Sequence, residues 1–395
     1  AAQTLDQAVA RQLQADADNR CVVLLGGDVN QIDPNTFLNP VLTGPLQRLC
    51  APGVPGASTT GASSSAGGGG ATSTTLPRIV EKRLREKRGE KEEEKGAVSA
   101  DTVTRWIRGV NLFFSGEYED LEREVTTFED GYESDIWRLA VGADRQFTDW
   151  LMAGLAFDYY RHDGDFVGGG GFETYSYGLL AFANLSPWDR SFIQLSGGWA
   201  RKDYERKRFT SFVQPFDGAS DESVQGFVEG GYAGDEFRAG ILSGYDFTWN
   251  EFRIQPRAGL DWVRNDFDTY REHGNTGLEL TFHENDEDWL QSTVGIKGAM
   301  NISTGFGVLV PQVSFDWKHE FKDDQRSLAV SFVGDTRAKR FTYLDEAPER
   351  NFYVVNAGVS TVLPHGIQAF VNYRALVGHS FLEGHAGTIG MRIEF

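Results

Sequence analysis

The sequence predicts an all-β membrane protein: a 12-stranded antiparallel transmembrane β-barrel with an N-terminal α-helix in the lumen and a small cystine-closed N-terminal head. Three observations favour this fold. Segments of alternating apolar and polar residues recur from about residue 104 to the end, and such alternation gives a strand one apolar face and one polar face. The connections between these segments alternate between short and long. No run of 18 or more apolar residues occurs, which excludes a transmembrane helix.

Composition narrows the class of protein. The 395 residues carry a formal net charge of −19, with 46 glycines and 13% aromatic residues. Nucleic acid is not an expected partner, because its phosphates require clustered Lys and Arg. The glycine and aromatic content fits a barrel with aromatic girdles better than a soluble enzyme. An acidic surface serves solubility, with divalent cations or basic partners as the alternative.

Residues 1–51 form the predicted head. Cys21 and Cys50 enclose 28 residues, and an isolated even pair of cysteines in an exported chain usually forms a disulfide. Closing this loop would stabilise a small fold by roughly 3–4 kcal/mol in the chain-entropy model. A two-cysteine metal site is the weaker interpretation, so neither a metal nor another cofactor is expected.

Two segments join the head to the barrel. Residues 52–76 are almost entirely Gly, Ala, Ser, Thr and Pro, which is typical of a flexible linker. Residues 77–96 are highly charged, with Pro77 at a favourable first helical position and i,i+4 charge pairs such as Glu81 and Arg85. A solvated linker and a helix in a polar lumen both fit this composition. The position just before the first membrane strand favours the lumenal helix, whose charges include Arg83, Arg85, Glu86 and Arg88.

Residues 104–395 form the predicted outer-membrane β-barrel. The strand cores are expected at 104–119, 133–147, 149–163, 172–186, 190–207, 235–249, 251–268, 287–302, 305–321, 351–363, 366–378 and 386–395. Outer-membrane barrels have short periplasmic turns and longer extracellular loops. The alternation of short and long connections in this sequence matches that arrangement. The alternating runs within 223–233 and 326–345 are interpreted as extensions of hairpins above the membrane. If both spanned it, the barrel would have fourteen strands.

Charged residues fall on the predicted lumenal face. Parity along the strands directs Arg138, Asp144 and Asp158 inward. Charges confined there should pair with one another or with the charges of the lumenal helix. The hypothesis is a helical plug held in the pore by salt bridges.

The loops are rich in acids but lack a catalytic set. Asp163, Asp165 and Glu173 cluster in one loop, and residues 283–288 supply a second acidic cluster. Oxygen-rich clusters suit Ca²⁺, but neither cluster matches an EF-hand. His319 and Glu320 project to opposite faces of one strand and cannot form a dyad directly. An enzyme is therefore the least favoured class.

The last strand has a distinct pattern. Ile389, Met391, Ile393 and Phe395 alternate with polar residues and glycine, and the aromatic residue is terminal. This ending resembles the C-terminal assembly signal of bacterial outer-membrane β-barrels. Together with the charged helix before the barrel and the run 313–321 (VSFDWKHEF), it makes residues 78–395 resemble the translocator domain of type V secretion autotransporters.

The resemblance implies a twelve-stranded barrel with a helix in its lumen, located in the bacterial outer membrane and surrounded by lipid and lipopolysaccharide. It also implies insertion by the barrel-assembly machinery and display of an N-terminal segment at the cell surface, for adhesion or assembly. Only about 76 residues precede the helix, and they contain no β-helix repeat. Two alternatives stay open: a helix-plugged porin-like channel with a periplasmic head, and a structural or filament-anchoring protein that self-associates or binds a surface partner through residues 1–51.

Overall fold

A computed structural model describes residues 41–42, 109–126, 129–214, 222–333 and 340–394. The predicted linker at 52–76 and lumenal helix at 77–96 lie outside these residues, together with Arg83, Arg85, Glu86 and Arg88. Of the predicted head, only Val41–Leu42 is described. Cys21 and Cys50 also lie outside the described residues, so their disulfide stays a prediction. Within the described ranges, no helix is long and apolar enough to cross a membrane.

Twelve long strands form one closed antiparallel barrel. In chain order they are β1 (Val110–Arg123), β2 (Tyr132–Thr148), β3 (Leu151–Phe166), β4 (Gly170–Leu185), β5 (Ser191–Gln214), β6 (Glu222–Tyr245), β7 (Phe252–Phe267), β8 (Asn285–Met300), β9 (Gly307–Glu320), β10 (Asn351–Val362), β11 (Ile367–Val377) and β12 (Leu382–Glu394). Each strand pairs with its neighbours in sequence, and β12 pairs with β1 to close the barrel. The predicted strand count is confirmed. Short strands at Phe247–Trp249 and Ile302–Thr304 continue the pairing at two of the turns.

The two ends of the barrel differ in their connections. The short turns lie at the end where β1 begins and β12 ends, and one of them contains the 3₁₀ helix Pro364–Gly366. The opposite end carries the connections 124–131, 167–169, 215–221, 268–284, 321–350 and 378–381. Some of these are shorter than expected, because the strands continue beyond the apolar band. The predicted loops 164–171 and 379–385 are largely strand in the structure.

The strand faces follow the alternation of the sequence. Outward-facing apolar side chains such as Leu155, Leu179 and Val371 are 60% or more exposed. Inward-facing partners such as Met152 and Asp158 are buried. The outward faces therefore form the apolar band that contacts lipid. Aromatic side chains border this band towards the long-loop end: Tyr118, Trp137, Tyr159, Tyr177 and Trp199.

The two doubtful segments have different outcomes. Residues 223–233 belong to β6, whose pairing with β5 continues to Gln214 and Glu222, so the hairpin extends well beyond its neighbours as expected. Residues 326–345 contain two short strands, Ser327–Phe332 and Phe341–Leu344, which pair with each other instead of joining the barrel.

These short strands belong to a second sheet at the long-loop end, here called the mouth sheet. Its strand order is Val41–Leu42, Phe341–Leu344, Ser327–Phe332, Leu280–Phe282 and Tyr270–Arg271. The connection between β7 and β8 supplies two of these strands, and the connection between β9 and β10 supplies two more. The mouth sheet therefore unites two loops that are separate in sequence.

A glycine turn ends the β3–β4 hairpin. Gly169 and Gly170 have φ angles of +96° and +91°, a backbone conformation that residues with a Cβ rarely adopt. A Cβ on Gly170 would also collide with the backbone carbonyl of Lys207. The run Gly168–Gly171 is thus a tight turn that leads directly into β4.

Candidate functional site: the lumen wall and the mouth of the barrel

The lumen wall is built from buried polar and charged side chains. On every barrel strand, residues of one parity face inward, and many of them are charged. Arg138, Asp144 and Asp158 are 5%, 2% and 4% exposed. All three belong to ion pairs formed within the wall.

Arg138 is the centre of the largest lumenal network. Its guanidinium donates to Glu117 and Glu119 on β1, each at 2.7 Å. Arg374 on β11 approaches the same two carboxylates at 3.1 and 3.0 Å. The hydroxyl of Thr388 on β12 donates to Glu117 at 2.7 Å. Four adjacent strands, β11, β12, β1 and β2, are therefore joined by one buried network.

A second network crosses the same junction near the short-turn end. Arg392 on β12 donates to Asp144 on β2 at 2.6 Å, and both side chains are at most 2% exposed. Asn111 on β1 donates to the same carboxylate at 2.7 Å. The junction between the last strand and the first is thus bridged on its lumenal side at two levels.

The opposite wall carries further ion pairs. Asp158 on β3 accepts from Arg238 on β6, although two strands separate them. Arg257 on β7 makes a two-bonded pair with Asp316 on β9, at 2.8 and 2.5 Å. The structure therefore brings the predicted lumenal charges together with partners from the wall itself. Contacts between the wall and the charges of segment 77–96 stay a prediction.

The lumen also contains apolar clusters that parity alone did not reveal. Near the short-turn end, the cluster consists of Phe113, Met152, Ala156, Leu180 and Phe182. Towards the long-loop end, a second cluster consists of Leu121, Tyr132, Ile136, Tyr160, Phe166, Phe172 and Leu382. In the sequence, the inward-facing aromatic residues on β1 to β4 were the feature that could have predicted these clusters. The interior is therefore packed on this side, unlike the water-filled polar lumen expected from the charges.

The mouth sheet contains a buried strand and is anchored to the barrel. Residues 276–282 are consecutively buried, so both faces of the strand Leu280–Phe282 are covered. Arg208 on β5 binds Glu272 through two bonds of 2.7 and 2.6 Å, and both residues are at most 4% exposed. A stack of four aromatic rings also runs from the barrel into the sheet, with centroid separations of 4.4–4.5 Å: Tyr204, Tyr232, Tyr270 and Phe282.

The N-terminal segment reaches this sheet. Val41 and Leu42 pair in parallel with Thr342 and Tyr343. This pairing adds a strand to the edge formed by Phe341–Leu344. The chain is therefore at the long-loop end at residue 42 and at the short-turn end at Val110, where β1 begins.

The acidic loop residues are arranged in rows on the outer surface. Asp163 and Glu173 lie on paired strands, and both bind Arg161, at 2.9 and 2.7 Å. Within the described ranges, no group of three or more His, Cys, Asp or Glu side chains is arranged to hold a metal ion. The strand register instead places carboxylates directly opposite one another. One row consists of Glu383, Glu122, Glu133 and Asp165, and the next consists of Asp120, Asp135, Asp163, Glu173 and Glu205.

Residues of the predicted assembly signal lie on the outward face of β12. Ile389 is 59% exposed and Met391 is 44% exposed. Ile393 is half-buried on the same face, and Phe395 lies outside the described residues. Between them, Thr388 and Arg392 are buried in the lumen.

Two titratable groups at the long-loop end have pKa values that burial shifts. Burial is the main cause that lowers the pKa of His379 to about 4; the nearby charge of Glu349 opposes this shift, and that of Arg123 adds to it. Burial raises the pKa of Asp345 well above its usual range, and the neighbouring carboxylates Glu129 and Glu287 add to this effect. His379 is therefore neutral near pH 7, and the charged form of Asp345 is strongly disfavoured.

A family model described as the autotransporter β-domain matches residues 112–374. The chain belongs to the autotransporter β-domain family. Outer membrane protein B of Rickettsia typhi is 24% identical over 284 residues, which are 67% of this chain and 16% of that protein. The protein of the same name from Rickettsia japonica is 24% identical over 280 residues, with the same coverage. This autotransporter β-domain thus spans about a sixth of the length of these relatives.

Solved translocator structures share the fold. The translocator domain of the autotransporter NalP from Neisseria meningitidis has a TM-score of 0.57 and 15% identity, covering 82% of this chain and 98% of that one. The β-domain of the Bordetella autotransporter BrkA has a TM-score of 0.51 and 15% identity, covering 73% of this chain and 100% of that one. This autotransporter β-domain is a bacterial outer-membrane barrel of type V secretion.

Proposed function

We propose that this barrel anchors and displays the segment N-terminal to it at the cell surface, for adhesion or assembly. The parallel pairing of Val41–Leu42 with the mouth sheet carries the proposal. In outer-membrane barrels the long loops face the outside and the short turns face the periplasm. The pairing therefore favours an external position for residue 42, whereas Val110 starts β1 from the periplasmic side.

The connection between these points is long enough to cross the membrane. Residues 43–109 join the two ends, and they include the charged segment 77–96. Twenty residues in a helix extend about 30 Å, which exceeds the apolar band of about 25 Å in such barrels. A helix at 77–96 inside the lumen would account for this crossing. Its charges Arg83, Arg85, Glu86 and Arg88 would then face the polar wall.

The barrel itself would act as an anchor and conduit. Lipid and lipopolysaccharide would surround it, and the barrel-assembly machinery would insert it. The lumenal residues Arg138, Arg257 and Arg392 are already paired within the wall. The proposal assigns no catalytic step to the barrel. Outside the cell, the simplest form of assembly for residues 1–76 is self-association through residues 1–51.

Labelling of intact cells tests the proposal. One epitope is inserted between Ala2 and Gln3, and a second is inserted near Asp217 in the connection between β5 and β6. Each is probed with antibody before and after permeabilisation. Surface display requires that both epitopes are stained on intact cells. Staining of the loop alone would place the N-terminal segment in the periplasm and favour the plugged-channel alternative.

A purified peptide of residues 1–51 provides a second measurement. Concentration-dependent dimers or larger species in sedimentation would support assembly through this segment. A strictly monomeric peptide would leave display intact but direct the search towards a different surface partner.

A further inference from the structure

Asp345 occupies an unusual place at the mouth of the barrel. It follows the strand Phe341–Leu344, with which Val41–Leu42 pairs. Its side chain is buried, with 1% exposure for the residue. Among the described residues, neither carboxyl oxygen has a hydrogen-bond partner. A buried carboxylate without such partners is costly in its charged form.

The backbone around Asp345 is fixed on two sides. Its amide donates to the carbonyl of Arg326 at 3.0 Å, and its own carbonyl accepts from Gln325 at 2.9 Å. The next amide, that of Glu346, donates to Glu129 at 2.8 Å. Residues 345–346 therefore hold the β9–β10 connection against the β1–β2 connection. These backbone bonds hold Asp345 at the junction where its carboxyl is buried.

Among the described residues, the charges that face Asp345 do not balance it. Glu129 is paired with Arg123 at 2.6 Å, and Glu287 is paired with Arg326 at 3.4 Å. These four residues come from β1, the β1–β2 connection, β8 and the β9–β10 connection. Together with Asp345 they comprise three carboxyl groups and two guanidinium groups. If all five were ionised, one negative charge of this described group would be buried without a counter-charge within the group.

We propose that Asp345 docks the β9–β10 connection only in its protonated form, and that its deprotonation releases the strand Phe341–Leu344 from the mouth sheet. In the released state the carboxyl is in water and has an ordinary pKa of about 3.9. In the docked state its pKa is higher. The contribution of Asp345 to docking is therefore fully present below about pH 4, and it is lost as the pH rises through the docked pKa.

The consequence concerns the attached N-terminal segment. Release of Phe341–Leu344 would remove the strand with which Val41 and Leu42 pair. This step rests on the proposed surface display. Docking of the connection itself does not depend on where residues 1–76 lie, so a failure of the labelling experiment and a failure of the experiment below are distinguishable.

Hydrogen exchange of the full chain in detergent micelles tests the docking. Protection factors, which correct for the pH dependence of intrinsic exchange, are compared at pH 5 and pH 9 for residues 327–332 and 341–346. Between the two pKa values, the ratio of released to docked molecules rises roughly tenfold per pH unit. We expect at least a tenfold loss of protection at pH 9. The exposed acid Asp324 in the same connection provides the matched control.

The variants assign the effect to one carboxyl. Asp345→Asn is neutral at both pH values and should keep its protection, whereas Asp324→Asn should behave as the parent chain does. A parent chain with equal protection at both pH values would overturn the proposal. An equal loss in Asp345→Asn would overturn it too. Restoration of protection at pH 9 by added Ca²⁺ in the parent chain would show that a cation replaces the proton, which also contradicts it.

Infrared spectroscopy keeps the proposal testable if Asp345→Asn fails to dock at either pH. A buried protonated carboxyl gives a carbonyl stretching band that a carboxylate lacks. The band should be present in the parent chain at pH 5, weaken by pH 9, and be absent from Asp345→Asn. A difference spectrum without this band would overturn the proposal.

Discussion

At the scale of single residues, the lumen wall concentrates buried charge around Arg138. Glu117 and Glu119 are 7% and 4% exposed, and both accept hydrogen bonds from this guanidinium. Removing one partner of a buried pair leaves an uncompensated charge, which typically costs 3–5 kcal/mol. The fold therefore depends on the pairing at this position more than on any surface ion pair.

Arg138→Met should lower the free energy of unfolding by about 3–5 kcal/mol, because Arg374 alone would then neutralise two buried carboxylates. Urea-induced unfolding in micelles, followed by tryptophan fluorescence, measures the change. The matched control is Arg161→Met, whose side chain is 44% exposed and also binds two carboxylates. Surface pairs contribute about 0–1 kcal/mol. Similar losses in both variants would contradict the importance of burial.

At the scale of elements, β12 and β1 to β5 carry carboxylates near their long-loop ends, and these carboxylates lie directly opposite one another on neighbouring strands. Like charges directly opposite on neighbouring strands destabilise a sheet. Here Glu133 lies between Glu122 and Asp165, and all three are exposed. The strands nevertheless continue through this region, because the backbone pairing of the membrane-embedded part extends towards the long-loop end in unbroken register.

Glu133→Gln should stabilise the barrel by roughly 0.2–1 kcal/mol at low ionic strength, since it removes repulsion from both sides. The gain should shrink as salt is added, because exposed charges are screened. Thermal unfolding at low and high salt measures both effects. Glu251→Gln, at an exposed turn of the opposite end, should change little. A gain that does not depend on salt would argue against electrostatic repulsion as its cause.

At the scale of the whole molecule, the mouth sheet and the proposed lumenal helix would both obstruct the path through the barrel. The mouth sheet covers the long-loop end, where residues 276–282 are buried. The proposed helix at 77–96 would occupy the lumen below it. Each would limit the passage of ions, so the two contributions need separate variants.

Deleting residues 78–95 should raise the single-channel conductance in planar bilayers, because the proposed helix would no longer fill the lumen. A second variant without residues 276–282 removes the buried strand of the mouth sheet, and a third combines both deletions. The combined variant should conduct most. If the conductance of the third variant equals that of the second, segment 78–95 does not plug the pore.

The sequence by itself determined the number of barrel strands, their antiparallel order and the face that each side chain occupies. These properties are local, because alternation with a period of two assigns every residue of a strand to one face. It also indicated that 223–233 extends a hairpin, since the flanking strands share its alternation. It placed the strand ends less well, as at the end of β1, which was expected at residue 119 and lies at Arg123 in the structure. The outward-facing residues near this end of β1 are charged, which is also typical of loop sequences.

Only the tertiary structure decided which residues meet. Parity directs Asp144 inward but does not select Arg392, which is 248 positions away in sequence. The carboxylate rows depend on register across five strand pairs, and the mouth sheet joins segments as distant as Val41 and Thr342. The environment of Asp345 likewise combines β1, β8 and two connections. Such contacts arise from closure of the barrel and from loop packing, which bring together segments whose local patterns carry no information about one another.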